Sequence, residues 1–311
     1  MTDGTQENRT DRKQAGKTWR QILEDGKRTL KESGIAEYDL DAWYLFEKAF
    51  HMDKARFLMD ASGKAEPAEA ELEEYEAMLK KRASRMPLQH ILGSQEFMGM
   101  EFRVSCHVLI PRQDTETLVE TVLQENRDRD KEVLDMCTGS GCIAVSLAAL
   151  GKYRHVDAAD ISEEALLVAE ENGKQLPENQ RVRFRRSDLF SAFLPEETYD
   201  IIVSNPPYIP TSVIDGLEPE VRDFEPRRAL DGEEDGLLFY RRLAEESTGH
   251  LRDGGRIYME IGYDQGEEVS RIFAGRGFDH IRVIQDLTGK DRVVCGTWHS
   301  RQTSGEKRQE V

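Results

Sequence analysis

From Val133 onward the chain alternates short apolar runs with helical patterns, and that rhythm limits the folds open to it more than any other feature. Val133–Met136, His155–Asp160, Val182–Arg186 and Tyr199–Ser204 read as buried strands. Helical segments are expected from about Ile143 and from Ser162 to about Asn172. A helix from about Gly236 then leads to a strand at Arg256–Ile261, a helix from about Asp264, and closing strands near His280–Gln285 and Arg292–Trp298. Strands separated by helices return to the sheet by crossovers and so pair in parallel. Seven of them predict an α/β fold, a doubly wound, Rossmann-like sheet with helices on both faces.

Upstream the pattern differs. Between about Thr18 and Arg85 the apolar residues keep helical spacing. Trp19, Ile22 and Leu23 begin one stripe, and Ala42, Leu45, Phe46 and Phe50 another. Phe57, Leu58, Leu72, Tyr75 and Leu79 continue it, with breaks at Gly34, Gly63 and Pro67. These stripes read as the core of a small module of four or five helices. From about 87 to 111 the period falls to two, around Phe97, Phe102, Val104 and Val108, which predicts a β-hairpin linker. The ends are polar and lack periodicity. The expected organisation is a disordered tail over 1–16, a helical domain over 17–86, the linker over 87–111, an α/β domain over 112–300, and a second disordered tail over 301–311.

The formal charge of −17 over 311 residues is unevenly spread. Residues 1–85 hold 16 basic and 18 acidic side chains, so most of the negative charge belongs to the remainder. Such a surface repels phosphate backbones and argues against direct nucleic-acid binding. The four cysteines show no metal-ligand spacing, and no metal is expected. No apolar run approaches the length of a membrane span, and the first residues show no signal-peptide core. A cytoplasmic monomer without membrane association is expected.

Chemistry enters at two places. The run from Val133 through Cys137-Thr138-Gly139-Ser140-Gly141 to Cys142 passes from strand through tight turn to helix. Gly139 and Gly141 permit conformations and close approaches that side chains block. A dinucleotide site would want a third glycine where Ala144 stands, and no phosphate-binding lysine follows the turn. Asp160, at the end of the next strand, is placed to bind ribose hydroxyls. A glycine turn and a ribose carboxylate without phosphate machinery point to S-adenosylmethionine, the alternative being a structural turn in another α/β protein. Asp188 and Leu189 end the third strand, where a base-binding edge belongs. Asp188 is a candidate acceptor for an adenine amino group, or a plain solvated carboxylate, and Leu189 a candidate wall for the ring.

The second place is Asn205-Pro206-Pro207-Tyr208, which ends the apolar run Tyr199–Ser204. Proline fixes its own φ and pushes the preceding residue into extended geometry, so Asn205 and Pro206 are both held stiff. The corner offers two acceptors, the Asn205 side-chain oxygen and the Pro206 carbonyl, with the Tyr208 ring beside them. Those groups suit a planar –NH2 on an sp² carbon, as in an amide, adenine or guanine. An ordinary turn is the bland alternative.

Together these residues resemble the class I methyltransferases, and specifically the release-factor glutamine methyltransferase (HemK/PrmC) family, over about 18 to 298. Pro87-Leu88-Gln89-His90-Ile91-Leu92-Gly93, Leu109-Ile110-Pro111-Arg112-Gln113-Asp114-Thr115-Glu116, Phe224-Glu225-Pro226-Arg227 and Glu260-Ile261-Gly262 carry the resemblance with the glycine turn and the corner. Cys137 departs from it, standing where the family turn usually has its first glycine, and Leu189 where some members have an aromatic. The resemblance implies methyl transfer from S-adenosylmethionine to the side-chain amide of the glutamine in the Gly-Gly-Gln loop of peptide chain release factors. It implies Asn205, Pro206 and Tyr208 as catalytic residues, with Pro207 also at the substrate. Cys137, Thr138, Gly139, Ser140, Gly141, Asp160, Asp188, Leu189 and Asn205 would bind the cofactor. The helical domain would dock the partner, and residues 209–235 would form a flap. Because the corner is shared with DNA adenine and some rRNA guanine methyltransferases, an amino-group methyltransferase of that kind is the alternative.

Overall fold

The computed structural model describes residues 16–300. The expected tails lie outside these residues except for Gly16. The chain divides into two compact units after Gly93, inside the segment expected as a linker.

In the first unit, helices span α1 Trp19–Glu32, α2 Tyr38–Phe50, α3 Lys54–Asp60, α4 Glu69–Ala83 and α5 Leu88–Leu92. Helix α1 begins with a capping box: Thr18 accepts from the Gln21 amide while Gln21 accepts from the Thr18 amide. Asp53 caps α3 at 2.8 Å. Leu30, Leu45 and Phe46 are fully buried, and Trp43, Phe46, Phe50, Phe57 and Tyr75 pack as a cluster of aromatic rings, mostly edge-on or tilted. Buried Asp41 pairs with Arg82 at 2.6 Å. Leu58, expected in this core, is 77 % exposed, because the short α3 turns only Phe57 inward.

The second unit opens with a hairpin, β1 Ser94–Phe97 and β2 Met100–Arg103. Met98 and Gly99 both have positive φ, as a two-residue turn matching the twist of its strands requires. The linker segment thus contains a helix, α5, before a hairpin shorter than the alternation suggests. Strands β3 Glu132–Met136, β4 His155–Asp160, β5 Arg183–Arg186, β6 Tyr199–Ser204, β7 Leu251–Glu260, β8 Asp279–Gln285 and β9 Asp291–Thr297 form one sheet in the order β5-β4-β3-β6-β7-β9-β8. The first five strands pair in parallel. The last two form an antiparallel hairpin, which places β9 between β7 and β8.

Alternate residues of each inner strand serve opposite faces. Val133, Ile201, Val203 and Tyr258 pack with Leu118, Val119 and Val122 of helix α6 Gln113–Glu125. Leu134, Met136, Ile202 and Met259 pack with Tyr240 and Leu243 of a helix spanning Leu238–Glu246 and with Phe273 of another spanning Gly266–Arg276. Following β3 comes helix α7 Cys142–Ser146, which continues as a π turn through Gly151. Helix α8 Glu163–Gly173 follows β4. Three single helical turns at 211–214, 219–222 and 227–230 follow β6.

Buried Asn172 on α8 joins three parts of this unit. It accepts from the Arg103 amide at 2.8 Å and donates to the carbonyls of Arg103 at 3.0 Å and Ser140 at 2.9 Å. Truncation would strand the buried hairpin and turn groups it satisfies, and leaving such groups unpaired costs more than the bonds are worth. Asn172→Ala is expected to lower stability by about 2–4 kcal/mol in urea denaturation. A loss under about 1 kcal/mol would show that solvent replaces these bonds freely.

Candidate functional site

Five parallel strands end on one edge, and the strand order reverses between β3 and β6, the place where open α/β sheets leave a crevice. A cavity of about 660 Å³ lies there. Its wall contains Cys137, Thr138, Gly139 and Ser140 from the turn after β3, and Asp160 from the end of β4. Asp188 and Leu189 after β5, and Asn205 and Pro207 after β6, complete the contribution from the expected residues. Gly141, Pro206 and Tyr208 are not part of the wall.

The turn is built on three left-handed residues, Cys137 with φ 62°, Gly139 with φ 54° and Gly141 with φ 78°. At Gly141 a Cβ would stand 3.0 Å from the Ala169 Cβ, so glycine lets α8 pack against the turn. Gly139 has open space where a Cβ would be. Cys137 adopts a conformation costing a side-chain-bearing residue about 1–2 kcal/mol, which accounts for the glycine usual at this place. Beneath the turn, fully buried Asp135 accepts from the Thr138 hydroxyl at 2.6 Å and the Ala144 amide at 3.1 Å. Asp160 braces the turn from the side, accepting from the Gly139 amide at 2.9 Å and the Ser162 amide at 2.9 Å. Burial raises the Asp160 pKa, and these amides oppose the rise. Its carboxylate keeps lone pairs for a ligand.

The β5 edge carries an interaction that strand patterning does not predict. Asp188 is exposed and pairs with Arg242 at 2.9 Å, and Arg242 also holds Glu246 at 3.0 Å. Leu189 is buried, with φ 45°. Arg242 and Phe239, on the helix Leu238–Glu246, line the cavity beside them. Neither carries a local motif; only the tertiary fold brings them to the site.

At the corner, Pro206 and Pro207 are buried while Asn205 is half-buried. The Asn205 Nδ2 donates to the Thr115 hydroxyl at 3.3 Å. Its Oδ1 and the Pro206 carbonyl take no hydrogen bond among the described residues. Tyr208 turns away from the cavity into the second core, its hydroxyl 3.5 Å from the Glu260 Oε1. Its carbonyl is held by Gln265 Nε2 at 3.0 Å, and the Gln265 Oε1 accepts from the Gly262 amide at 2.9 Å. The reading of Tyr208 as an aromatic face beside the acceptors is therefore replaced by one in which its ring packs behind the corner.

Glu260 is fully buried at the end of β7. Burial pushes its carboxyl up to about 7, against hydrogen bonding from Thr115 and the charge of Arg292. Arg292 reaches Asp114 and Asp286, each at 3.1 Å. Arg112 pairs at 2.6 Å with buried Glu225 of the segment after β6, tying 209–235 to the start of α6. Thr115, Arg112 and Glu225 all lie in motif segments, but their partners are distant in sequence, so nothing local reveals what each side chain does.

Asp135 yields a pH test. Burial raises its carboxyl to about 7, against Thr138 and Ala144 hydrogen bonds. Between the unfolded value near 4 and this folded value, the native state holds a proton that the unfolded chain has lost. Stability contributed by this group therefore falls as pH rises through that window. In Asp135→Asn that loss disappears, and the variant is expected to gain on wild type by about 2–3 kcal/mol between pH 5 and pH 8 in urea titrations. A parallel pair of pH profiles would show that the carboxyl is ionised throughout.

Among the described residues, no group of His, Cys, Asp and Glu is arranged to hold a metal ion, and no helix is long and apolar enough to cross a membrane. Residues 21–93 match the PrmC N-terminal domain family, and residues 112–215 the methyltransferase small domain family. The hMettl16 catalytic domain shares the fold, with a TM-score of 0.53 at 16% identity over 73% of this chain and 83% of that one. The release factor glutamine methyltransferase of Clostridium botulinum is 39% identical over 88% of this chain and 96% of its own length. That of Cereibacter sphaeroides is 42% identical over 85% of this chain and 93% of its own. Similarity of that extent, across nearly the whole of both relatives, means that the chain belongs to the release factor glutamine methyltransferase family.

Proposed function

We propose that this chain transfers a methyl group from S-adenosylmethionine to the side-chain amide nitrogen of the glutamine in the Gly-Gly-Gln loop of peptide chain release factors. The observation that carries the reading is the corner after β6. Asn205 spends its donor on Thr115 and keeps its acceptor, on the wall of a cavity that also holds the glycine turn and Asp160. The residues present fit the cofactor, because Gly139 leaves open space at the turn and the Asp160 carboxylate stands beside it. When bound, S-adenosylmethionine supplies a methyl carbon on a positively charged sulfur.

In this reading Asp160 accepts from the ribose hydroxyls, and Cys137, Thr138, Gly139 and Ser140 contact the ligand along the turn, which Gly141 closes against α8. Asp188 accepts from the adenine amino group while retaining its Arg242 partner, and Leu189 forms part of the ring's apolar wall. Asn205 belongs to both the cofactor and substrate sides. An amide nitrogen is a weak nucleophile, since its lone pair is delocalised into the carbonyl. Asn205 Oδ1 and the Pro206 carbonyl accept its two N–H bonds, orienting it and favouring the positive charge that builds as the C–N bond forms and the C–S bond breaks. The extra proton leaves the nitrogen for solvent after transfer, so no general base is assigned. Pro207 lines the substrate side, and Tyr208 supports the corner from behind. The helical domain, 17–86, serves to dock the release factor, and its near-neutral charge is compatible with a protein partner.

Asn205→Ala is expected to lower kcat on purified release factor by about 10²–10³-fold, comparable to removing one preorganised donor from an oxyanion hole. Affinity for S-adenosylmethionine should change much less. Single-turnover methylation, calorimetric binding and thermal melting on the same preparations separate the effects. A variant with near wild-type single-turnover rate would remove Asn205 from the mechanism. Transfer to an oligonucleotide in place of release factor would overturn the substrate.

A further inference from the structure

We propose that Arg242 is a positioning residue that holds the Asp188 carboxylate in one place at the purine end of the cavity, and so makes the site prefer a 6-aminopurine over a 6-oxopurine. This inference rests on the proposed function and deepens it. An aspartate on an exposed loop turns freely about its side-chain bonds, and water competes for both of its oxygens. The Asp188 side chain is half exposed, so its place after β5 does not by itself aim it at a ligand.

The helix Leu238–Glu246 supplies the aim. Arg242 Nη1 donates to Asp188 Oδ1 at 2.9 Å, and Arg242 Nε donates to Glu246 Oε1 at 3.0 Å. A guanidinium only donates and an ionised carboxylate only accepts, so residue type fixes the direction of both bonds. Glu246 stands about one helical turn beyond Arg242, and its Oε2 accepts from the Phe190 amide at 3.4 Å. Together the two side chains grip the turn 188–190 at the Asp188 carboxylate and at the Phe190 backbone. Between these points lies Leu189, buried and left-handed with φ 45°, a backbone state that persists only when its surroundings enforce it. From the other side, the Ser187 amide donates to the Asp160 carbonyl at 2.9 Å, and the Ser187 hydroxyl donates to the Leu189 carbonyl. Asp188, Leu189 and Arg242 all line the cavity. One Asp188 oxygen is committed to Arg242; the other takes no hydrogen bond among the described residues and stays an acceptor for a ligand.

A half-exposed ion pair of this kind adds little to folding stability, so its effect lies in geometry. Adenine offers an –NH2 at position 6, whereas hypoxanthine offers a carbonyl oxygen there and moves its proton to the neighbouring ring nitrogen. A carboxylate held at position 6 accepts from the first and repels the second. Without Arg242, Asp188 turns to water or follows the displaced proton. Adenine then loses about one hydrogen bond, roughly tenfold in affinity, while hypoxanthine loses nothing.

The test uses the full chain with Arg242→Met, Asp188→Ala and the double variant. The probes are S-adenosylhomocysteine and its 6-oxo counterpart, S-inosylhomocysteine, titrated calorimetrically. Arg242→Met is expected to bind the adenosyl compound about tenfold more weakly and the inosyl compound within about twofold of wild type. In the Asp188→Ala background, Arg242→Met should change the ratio of the two affinities no further. On release factor, KM for S-adenosylmethionine should rise about tenfold with kcat unchanged. Equal weakening of both compounds would overturn the proposal, because that is what a merely structural role predicts. An unchanged ratio in Arg242→Met, or an equal fall in the ratio with and without Asp188, would overturn it too. A wild-type protein that binds the adenosyl compound but leaves release factor unmethylated marks failure of the substrate reading alone, and the affinity ratios still decide this inference. A wild-type protein that binds neither compound marks failure of the cofactor reading, and removes this inference with it.

Discussion

Parallel pairing of β3 with β6 is the constraint on which the site depends. Met136 stands opposite Ser204, so the next residues, Cys137 and Asn205, leave the sheet from adjacent strands at the same level. Neighbouring strands lie about 5 Å apart, so the glycine turn and the proline corner become two walls of one crevice. The Ser204 hydroxyl ties the pair by donating to the Met136 carbonyl at 2.7 Å. Neither strand has to bend to achieve this, since the reversal of strand order between them opens the space. The geometry that brings a methyl donor beside an acceptor corner is therefore a property of the sheet, and the loops refine it.

Much of that refinement comes from one short stretch at the start of α6. Arg112 holds Glu225, Asp114 faces Arg292, Thr115 takes the Asn205 amide, and Glu116 accepts from the Met98 amide of the hairpin at 2.6 Å. Four side chains in five residues thus secure the segment after β6, the closing hairpin, the corner and the entry hairpin. A helix N-terminus suits this work, because its first turn points side chains in several directions from a rigid base. Glu260 lies buried behind the corner, where the Tyr208 hydroxyl stands 3.5 Å from its Oε1 and its Oε2 takes no hydrogen bond among the described residues. Burial disfavours the charged form of this carboxyl and raises its pKa.

The sheet is legible in the sequence because its inner parallel strands are written as compact apolar runs, and each of the seven expected segments overlaps a strand. The turn after Met136 and the corner after Ser204 are legible for a similar reason, since glycine and proline act on the backbone directly. What the chain does not write locally is partnership across distance. Thr115 and Asn205 are ninety positions apart, and Arg242 meets Asp188 from a helix beyond the whole 209–235 segment. Tyr208 departs from its expected place for the same reason: adjacency to Asn205 suggests a shared role, whereas the second core draws its ring behind the corner. Leu58 shows the limit of periodicity, because spacing alone does not say where a seven-residue helix stops covering the core.

The central claim concerns one nitrogen atom, and locating the transferred methyl tests it most directly. Purified release factor would be incubated with this protein and S-adenosylmethionine bearing a deuterated methyl group, then digested and fragmented by tandem mass spectrometry. The account predicts a single labelled methyl on the side-chain amide of the Gly-Gly-Gln glutamine and none elsewhere. Label on another residue, on a backbone or hydroxyl atom, or only on added DNA or RNA would contradict it.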